Sequence, residues 1–226
     1  MSKTDSSRAS RRGFLRAASV ASWAVLALPG LASVAWLSGC EQKGRPDGLP
    51  TLSFNSVDIT GAGYARKLSL KDFDGRQREL AEFKGRLVFV FFGFTQCPDV
   101  CPTTMAELAE VRKRLGADGD RVQGVFVSVD PERDKPEVLK GYLQGMDPSF
   151  IGLTGTPEQI EATAREFKVF YQKVPTSEGN YTLDHTAGAY VFDTEGHVRL
   201  FVRYGLGVDK LEADLKQLLA GSARAG

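Results

Sequence analysis

The sequence predicts an α/β fold: a mixed β-sheet with helices on both faces, extended near its N-terminus by a β-hairpin. Three observations predict it. Residues 87–92 (LVFVFF) are a continuous apolar run full of β-formers, as a central strand buried on both faces is, and residues 122–129 (VQGVFVSV) read as a second strand. Helical periodicity follows each of them. The C-terminal third then offers a hairpin and a closing helix. Strand–helix alternation ending in a hairpin gives a mixed sheet covered on both sides.

The elements can be justified in chain order. Asp74-Gly75 is a turn signal between residues 68–70 and 77–80, and predicts the N-terminal hairpin. After the first apolar strand, Met105, Leu108, Val111 and Leu115 recur at helical spacing, predicting a helix over 103–116. Residues 136–146 form a second helix with Pro136 in its first turn. A short strand at 150–153 precedes a third helix at 157–167, for which Thr156 is the expected N-cap. Strands at 189–192 and 197–204 flank Asp193-Thr194-Glu195-Gly196 and read as a hairpin. Residues 211–219 form the closing helix. In such sheets ligands sit beyond the carboxyl ends of the parallel strands. Here those ends carry residues 93–101 and 130–134.

The chain has 226 residues, 42% apolar and 25% charged, which excludes a disordered or collagen-like chain. Its net charge of +1 gives no electrostatic footprint for nucleic acid. The basic excess is local. Residues 1–39 carry five basic side chains (Lys3, Arg8, Arg11, Arg12, Arg16) against Asp5, so the remainder is net −3. Residues 17–39 follow with no charge at all, the layout of an export signal. The stretch from Ser10 to Arg16 (SRRGFLR) resembles a twin-arginine signal, which is read by a receptor and is not itself an anchor. Leu37-Ser38-Gly39-Cys40 resembles a bacterial lipobox, with Cys40 as the lipidated residue. An uncleaved helix is the other reading, since 23 uncharged residues can span a bilayer of about 30 Å. Either way the expected location is the periplasmic side of the bacterial inner membrane. Residues 40–50 (CEQKGRPDGLP) read as a flexible tether, and 51–226 as one domain.

The chemistry sits in Cys97-Pro98-Asp99-Val100-Cys101-Pro102. Beyond Cys40 these are the chain's two cysteines, four residues apart. Pro102 is expected at the first helical position, which puts Cys101 at or near the N-cap. There the helix dipole and free backbone N–H groups favour a thiolate. A stabilising disulfide would close too short a loop to gain much entropy. Redox exchange and metal binding remain. Two thiolates favour soft or borderline ions, Cu(I) or Zn(II), over Mg or Ca. They also need a third donor, and the chain has two histidines. His197 lies at a hairpin turn and reads as a solvated surface residue. His185 lies just before the strand 189–192, at the end of a polar connection over 176–183 that reads as mobile, and is the better candidate.

Residues 66–220 resemble a thioredoxin-like domain of the Sco/SenC family of copper chaperones. The stretches that carry the resemblance are GFTQCPDVCPTTM (93–105), SVDPERDKPEVL (128–139) and DHTAGAYVFDTEG (184–196). The resemblance implies copper, as Cu(I) or Cu(II), bound by Cys97, Cys101 and His185. It further implies a partner, cytochrome c oxidase subunit II, whose dinuclear copper site would receive the metal or have its cysteines reduced, and a copper donor protein upstream. The chain departs from plain thioredoxins, whose pair is Trp-Cys-x2-Cys and which place a cis-Pro near the cysteines. No Pro lies between residues 176 and 190, and His185 falls near that place.

Other residues take lesser roles. Asp130 and Arg133 are expected to form a buried ion pair holding the loop 130–134, a docking role being the alternative. Asp184 either orients His185 or is a solvated turn residue. Asp99 is a weak extra ligand or a loop acid. Phe89, Phe91, Phe92 and Phe94 are expected in the core. The competing function is a membrane-tethered thiol–disulfide oxidoreductase or peroxidase, with Cys97 and Cys101 as the redox pair and no metal. A copper sensor is a third class.

Overall fold

The computed structural model describes residues 53–222. The stretches expected to be an export signal (1–39) and a tether (40–50), with Cys40, lie outside the described residues. Among the described residues, no helix is long and apolar enough to cross a membrane.

The strands are β1 (Val57–Asp58), β2 (Ser69–Asp72), β3 (Gln77–Glu79), β4 (Leu87–Gly93), β5 (Val122–Ser128), β6 (Ile151–Thr154), β7 (Tyr171–Pro175), β8 (Tyr181–His185), β9 (Gly188–Phe192) and β10 (Val198–Arg203). The helices are α1 (Val100–Leu115), α2 (Pro136–Gln144), α3 (Pro157–Glu166) and α4 (Val208–Ser222). Eight strands form one sheet in the order β1-β10-β9-β4-β5-β6-β2-β3. Its centre, β4, β5 and β6, is parallel, and both flanks are antiparallel. Every residue of β4 and β5 is buried, which is why β4 reads as an unbroken apolar run and β5 as a largely apolar one.

Connectivity explains the layers. The β4–α1–β5 and β5–α2–β6 crossovers run the same way along the sheet, so right-handedness puts α1 and α2 on one face. Leu108 of α1 lies beside Gly124, and Leu139 and Leu143 of α2 lie beside Gly152, where neither glycine leaves room for a Cβ. On the other face Phe167, at the end of α3, packs against Phe92 with tilted rings and edge-on against Phe192. α4 packs beside α1.

The expected hairpin at Asp74-Gly75 is present as β2–β3, with Gly75 at φ +82°. It joins the main sheet at the far edge, through β2 and β6. Thr156 caps α3 through a reciprocal pair with Gln159, and Pro136 and Pro157 occupy first-turn positions. Two expectations are corrected. The connection read as a polar mobile loop is a regular hairpin, β7–β8, closed by a short 3-10 turn at Ser177–Gly179. The helix expected from residue 103 begins at Val100, so the second cysteine is already helical.

Candidate metal centre

The site lies at the carboxyl end of β4, where the chain leaves the sheet and turns into α1. Phe94 remains in the core, Cys97 is half-buried, and Cys101 is fully buried. Asp99 is the N-cap residue, Cys101 the second helical residue and Pro102 the third. This corrects the expected register by two positions. Pro is tolerated there because no N–H of the first turn has an intrahelical partner. The Cys101 N–H points at Cys97 Sγ, 3.5 Å away.

Gly93 makes the close approach possible. A Cβ on this residue would stand 2.7 Å from Cys101 Sγ, 2.9 Å from the Phe91 ring and 3.0 Å from the Phe126 ring. Cys101 therefore occupies the space that a side chain at 93 would take.

His185 arrives from the other side, as the last residue of β8. Its Nε2 is 3.4 Å from Cys101 Sγ, and its Nδ1 is 3.2 Å from the Thr186 carbonyl. A carbonyl only accepts, so Nδ1 carries the proton and the Nε2 lone pair faces the sulfur. Phe91 and Phe94 meet the imidazole edge-on, with centroids 5.8 and 5.9 Å away. These two phenylalanines are core residues, as expected, and also walls of the site.

Burial governs the proton chemistry. It pushes the Cys101 thiol well above its ordinary pKa, against a smaller opposing pull from the Phe94 backbone. The helix N-terminus was expected to favour a thiolate, but desolvation outweighs it at a fully buried sulfur. Burial also lowers the His185 pKa, more than the Thr186 carbonyl and Asp184 raise it. Both groups are thus neutral near pH 7.

Cys97 Sγ, Cys101 Sγ and a His185 ring nitrogen all lie within 4.8 Å of one another. Ligand bonds of about 2.0–2.3 Å put two donors of one ion at most roughly 4.5 Å apart, so shifts of a few tenths of an ångström close the set. Two sulfurs and one imidazole nitrogen suit copper. The three residues could therefore hold a copper ion.

The remaining residues sort plainly. Asp99 lies outside the donor group and accepts from Tyr204 Oη at 3.2 Å and Thr103 Oγ1 at 3.3 Å. Asp184 is exposed, and the partner of His185 Nδ1 is the Thr186 carbonyl. His197 is exposed beside Asp193, outside the donor group. Asp130 and Arg133 form the expected buried ion pair at 2.5 Å. Sequence reasoning missed Gly93, and it missed Asp134. The Asp134 carboxylate accepts from Thr95 N at 3.1 Å, Thr95 Oγ1 at 2.6 Å and Ser128 Oγ at 2.6 Å, holding the start of the cysteine loop. Thr95 stands two residues before Cys97, which is the one sequence signal for such a tie.

The fold and the site together define a thioredoxin-like α/β domain with a Cys-x3-Cys pair at a strand end and a histidine set against it. The model of the SCO1/SenC family matches residues 59–220, and the chain belongs to that family. An SCO2-like protein of Rickettsia felis is 42% identical over 129 residues, which are 56% of this chain and 63% of that protein. The chain spans little more than half the length of the curated relatives it matches. The structure of Bradyrhizobium japonicum ScoI with copper bound is 40% identical, with a TM-score of 0.62, covering 68% of this chain and 98% of that one. BsSco is 26% identical with a TM-score of 0.56, covering 73% of this chain and 97% of that one. It is described as containing a disulfide switch and as a member of the Sco family of cytochrome c oxidase assembly proteins.

Proposed function

We propose that this protein is a membrane-tethered, extracytoplasmic copper chaperone. It binds copper through Cys97, Cys101 and His185. It then delivers the metal to the dinuclear copper site of cytochrome c oxidase subunit II, or reduces that site's cysteines. The observation that carries the reading is the convergence of two sulfurs and an imidazole nitrogen within 4.8 Å, from residues up to 88 apart in the chain. The copper-bound state of the Bradyrhizobium relative supports the metal. The family's association with cytochrome c oxidase assembly supports the recipient.

Residues 1–39 act as the export signal, 40–50 as the tether and 51–226 as the working domain. The domain faces the periplasm, held at the inner membrane by lipid on Cys40 or by an uncleaved helix. Fatty-acid labelling that persists in C40S would overturn the lipid version.

The chain's own residues prepare the site. The Thr186 carbonyl keeps the His185 Nε2 lone pair turned inward. Half-buried Cys97 is the sulfur open to solvent, and so the first point of contact for an incoming ion or a partner thiol. Thiolates are the ligands, so a Cys97–Cys101 disulfide excludes copper. Copper stoichiometry on reduced and oxidised samples tests this. The expected result is one copper per reduced chain and none retained on the oxidised chain. Equal content in both would overturn the site.

The metal-free thiol–disulfide reading draws on one observation, the Cys101 N–H aimed at Cys97 Sγ across a short loop. A reduced protein that binds no copper would favour it.

A further inference from the structure

His185 rides on a hairpin that belongs to a separate two-stranded sheet, β7–β8, outside the eight-stranded one. On its C-terminal side the main sheet resumes at Gly188, three residues on. At its base the hairpin pairs His185 with Tyr171, and the Thr186 N–H donates to the Phe170 carbonyl at 2.9 Å; at the far end of β8 a further tie rises from the loop after β5.

Arg133 sits in that loop with its side chain 16% exposed. Its Nε donates to Asp130 Oδ2, and its Nη1 donates to the Tyr181 carbonyl at 2.7 Å and to Asn180 Oδ1 at 3.3 Å. The guanidinium also lies over the Tyr181 ring, 3.7 Å from its centroid. The Tyr181 hydroxyl donates back to Asp130 Oδ1 at 2.8 Å, closing the circuit. Tyr181 is the first residue of β8 and His185 the last. Residues i and i+4 of a strand share a face, so a grip on Tyr181 sets the side and tilt from which His185 approaches. The other ties to this loop both end on exposed Glu132, from Lys173 at 2.6 Å and from the Tyr181 hydroxyl at 3.4 Å, and hold little. Charge-assisted bonds from a largely buried guanidinium, with a stacked ring, hold more.

We propose that Arg133 is the positioning residue for the third metal donor. Through Tyr181 it holds His185 Nε2 toward the two cysteine sulfurs. The inference rests on the copper reading and deepens it. Cu(I) tolerates two sulfurs alone, whereas Cu(II) prefers more donors, including nitrogen, in a tetragonal arrangement. Arg133 therefore acts on the Cu(II) site and barely on the Cu(I) site. Lysine is no substitute, because a point charge can pair with Asp130 but cannot stack on Tyr181 and bond its carbonyl together.

The test compares wild type, H185A, R133Q and R133K as reduced protein. Each is titrated competitively with Cu(I) and with Cu(II), and the His185 ring resonances are recorded without metal. R133K keeps the charge beside Asp130 and is the variant expected to fold; Y181F serves as a second if R133Q does not. The expected result for R133K is a Cu(II) affinity about tenfold lower, a Cu(I) affinity within about threefold, and displaced His185 resonances in the metal-free protein. Equal loss for both copper valences, or unmoved His185 resonances, would overturn the proposal. If H185A itself kept wild-type Cu(II) affinity, the assignment of His185 as the third donor would fall. The metal-free resonances would still decide whether Arg133 positions the ring.

Discussion

Cys101 and His185 face each other across 3.4 Å, and burial bends both toward their neutral forms. The imidazole is then ready to ligate and the thiol is not. Copper entering the site must displace the Cys101 proton, so binding releases it. The raised thiol pKa keeps that proton on throughout the neutral range, and competition for it weakens as pH rises. Cu(I) affinity is therefore expected to climb between about pH 6 and 8, by up to roughly tenfold per unit for one proton released. Competitive titration at several pH values checks this, and a flat profile would contradict a buried protonated thiol. The donors themselves were legible in the sequence, because the chain offers so few cysteines and histidines. The direction of the Cys101 shift was not. Helix position argues for a thiolate, and only the packing around Gly93 and Phe126 reveals how completely the sulfur is desolvated.

Elements differ in how openly the sequence announces them. β4 and β5 were plain because all their residues are buried, so nearly all are apolar or small, with Gln123 the polar exception, hydrogen-bonded to the Gly124 and Ser149 carbonyls. β7 and β8 were hidden for the opposite reason. Only Leu183 among their ten residues is buried, so the ribbon has no apolar face to betray a period of two. The start of α1 was displaced because Pro102 looked like a first residue and proved to be a third. The junction of β4 with α1 is the most demanding local fit. Gly93→Ala would press a methyl group into Cys101 Sγ and two aromatic rings. Overpacking of this kind costs about 1–3 kcal/mol. The variant is expected to unfold at lower temperature and to bind copper more weakly, measured by calorimetry and titration. Wild-type values for both would contradict the close approach.

At the scale of the whole molecule, one loop frames the site. Residues 130–134 follow β5, the strand hydrogen-bonded beside β4. Asp134 reaches back to Thr95, two residues before Cys97, while Arg133 reaches out to Tyr181 and the histidine hairpin. Both halves of the donor set are thus referred to the carboxyl end of the same parallel pair, where α/β sheets place their ligands. The sequence showed that this loop lies near the cysteines, since strand order follows from the alternation of elements. It did not show the two-sided tie, which needs the partners' positions. The central claim is that Cys97, Cys101 and His185 form one copper site. X-ray absorption at the copper edge, on reduced protein loaded with Cu(II), tests it most directly. The account predicts two sulfur scatterers and one imidazole nitrogen from the protein in the wild type, with the imidazole contribution absent in H185A. A copper environment without sulfur, or one that H185A leaves unchanged, would contradict it.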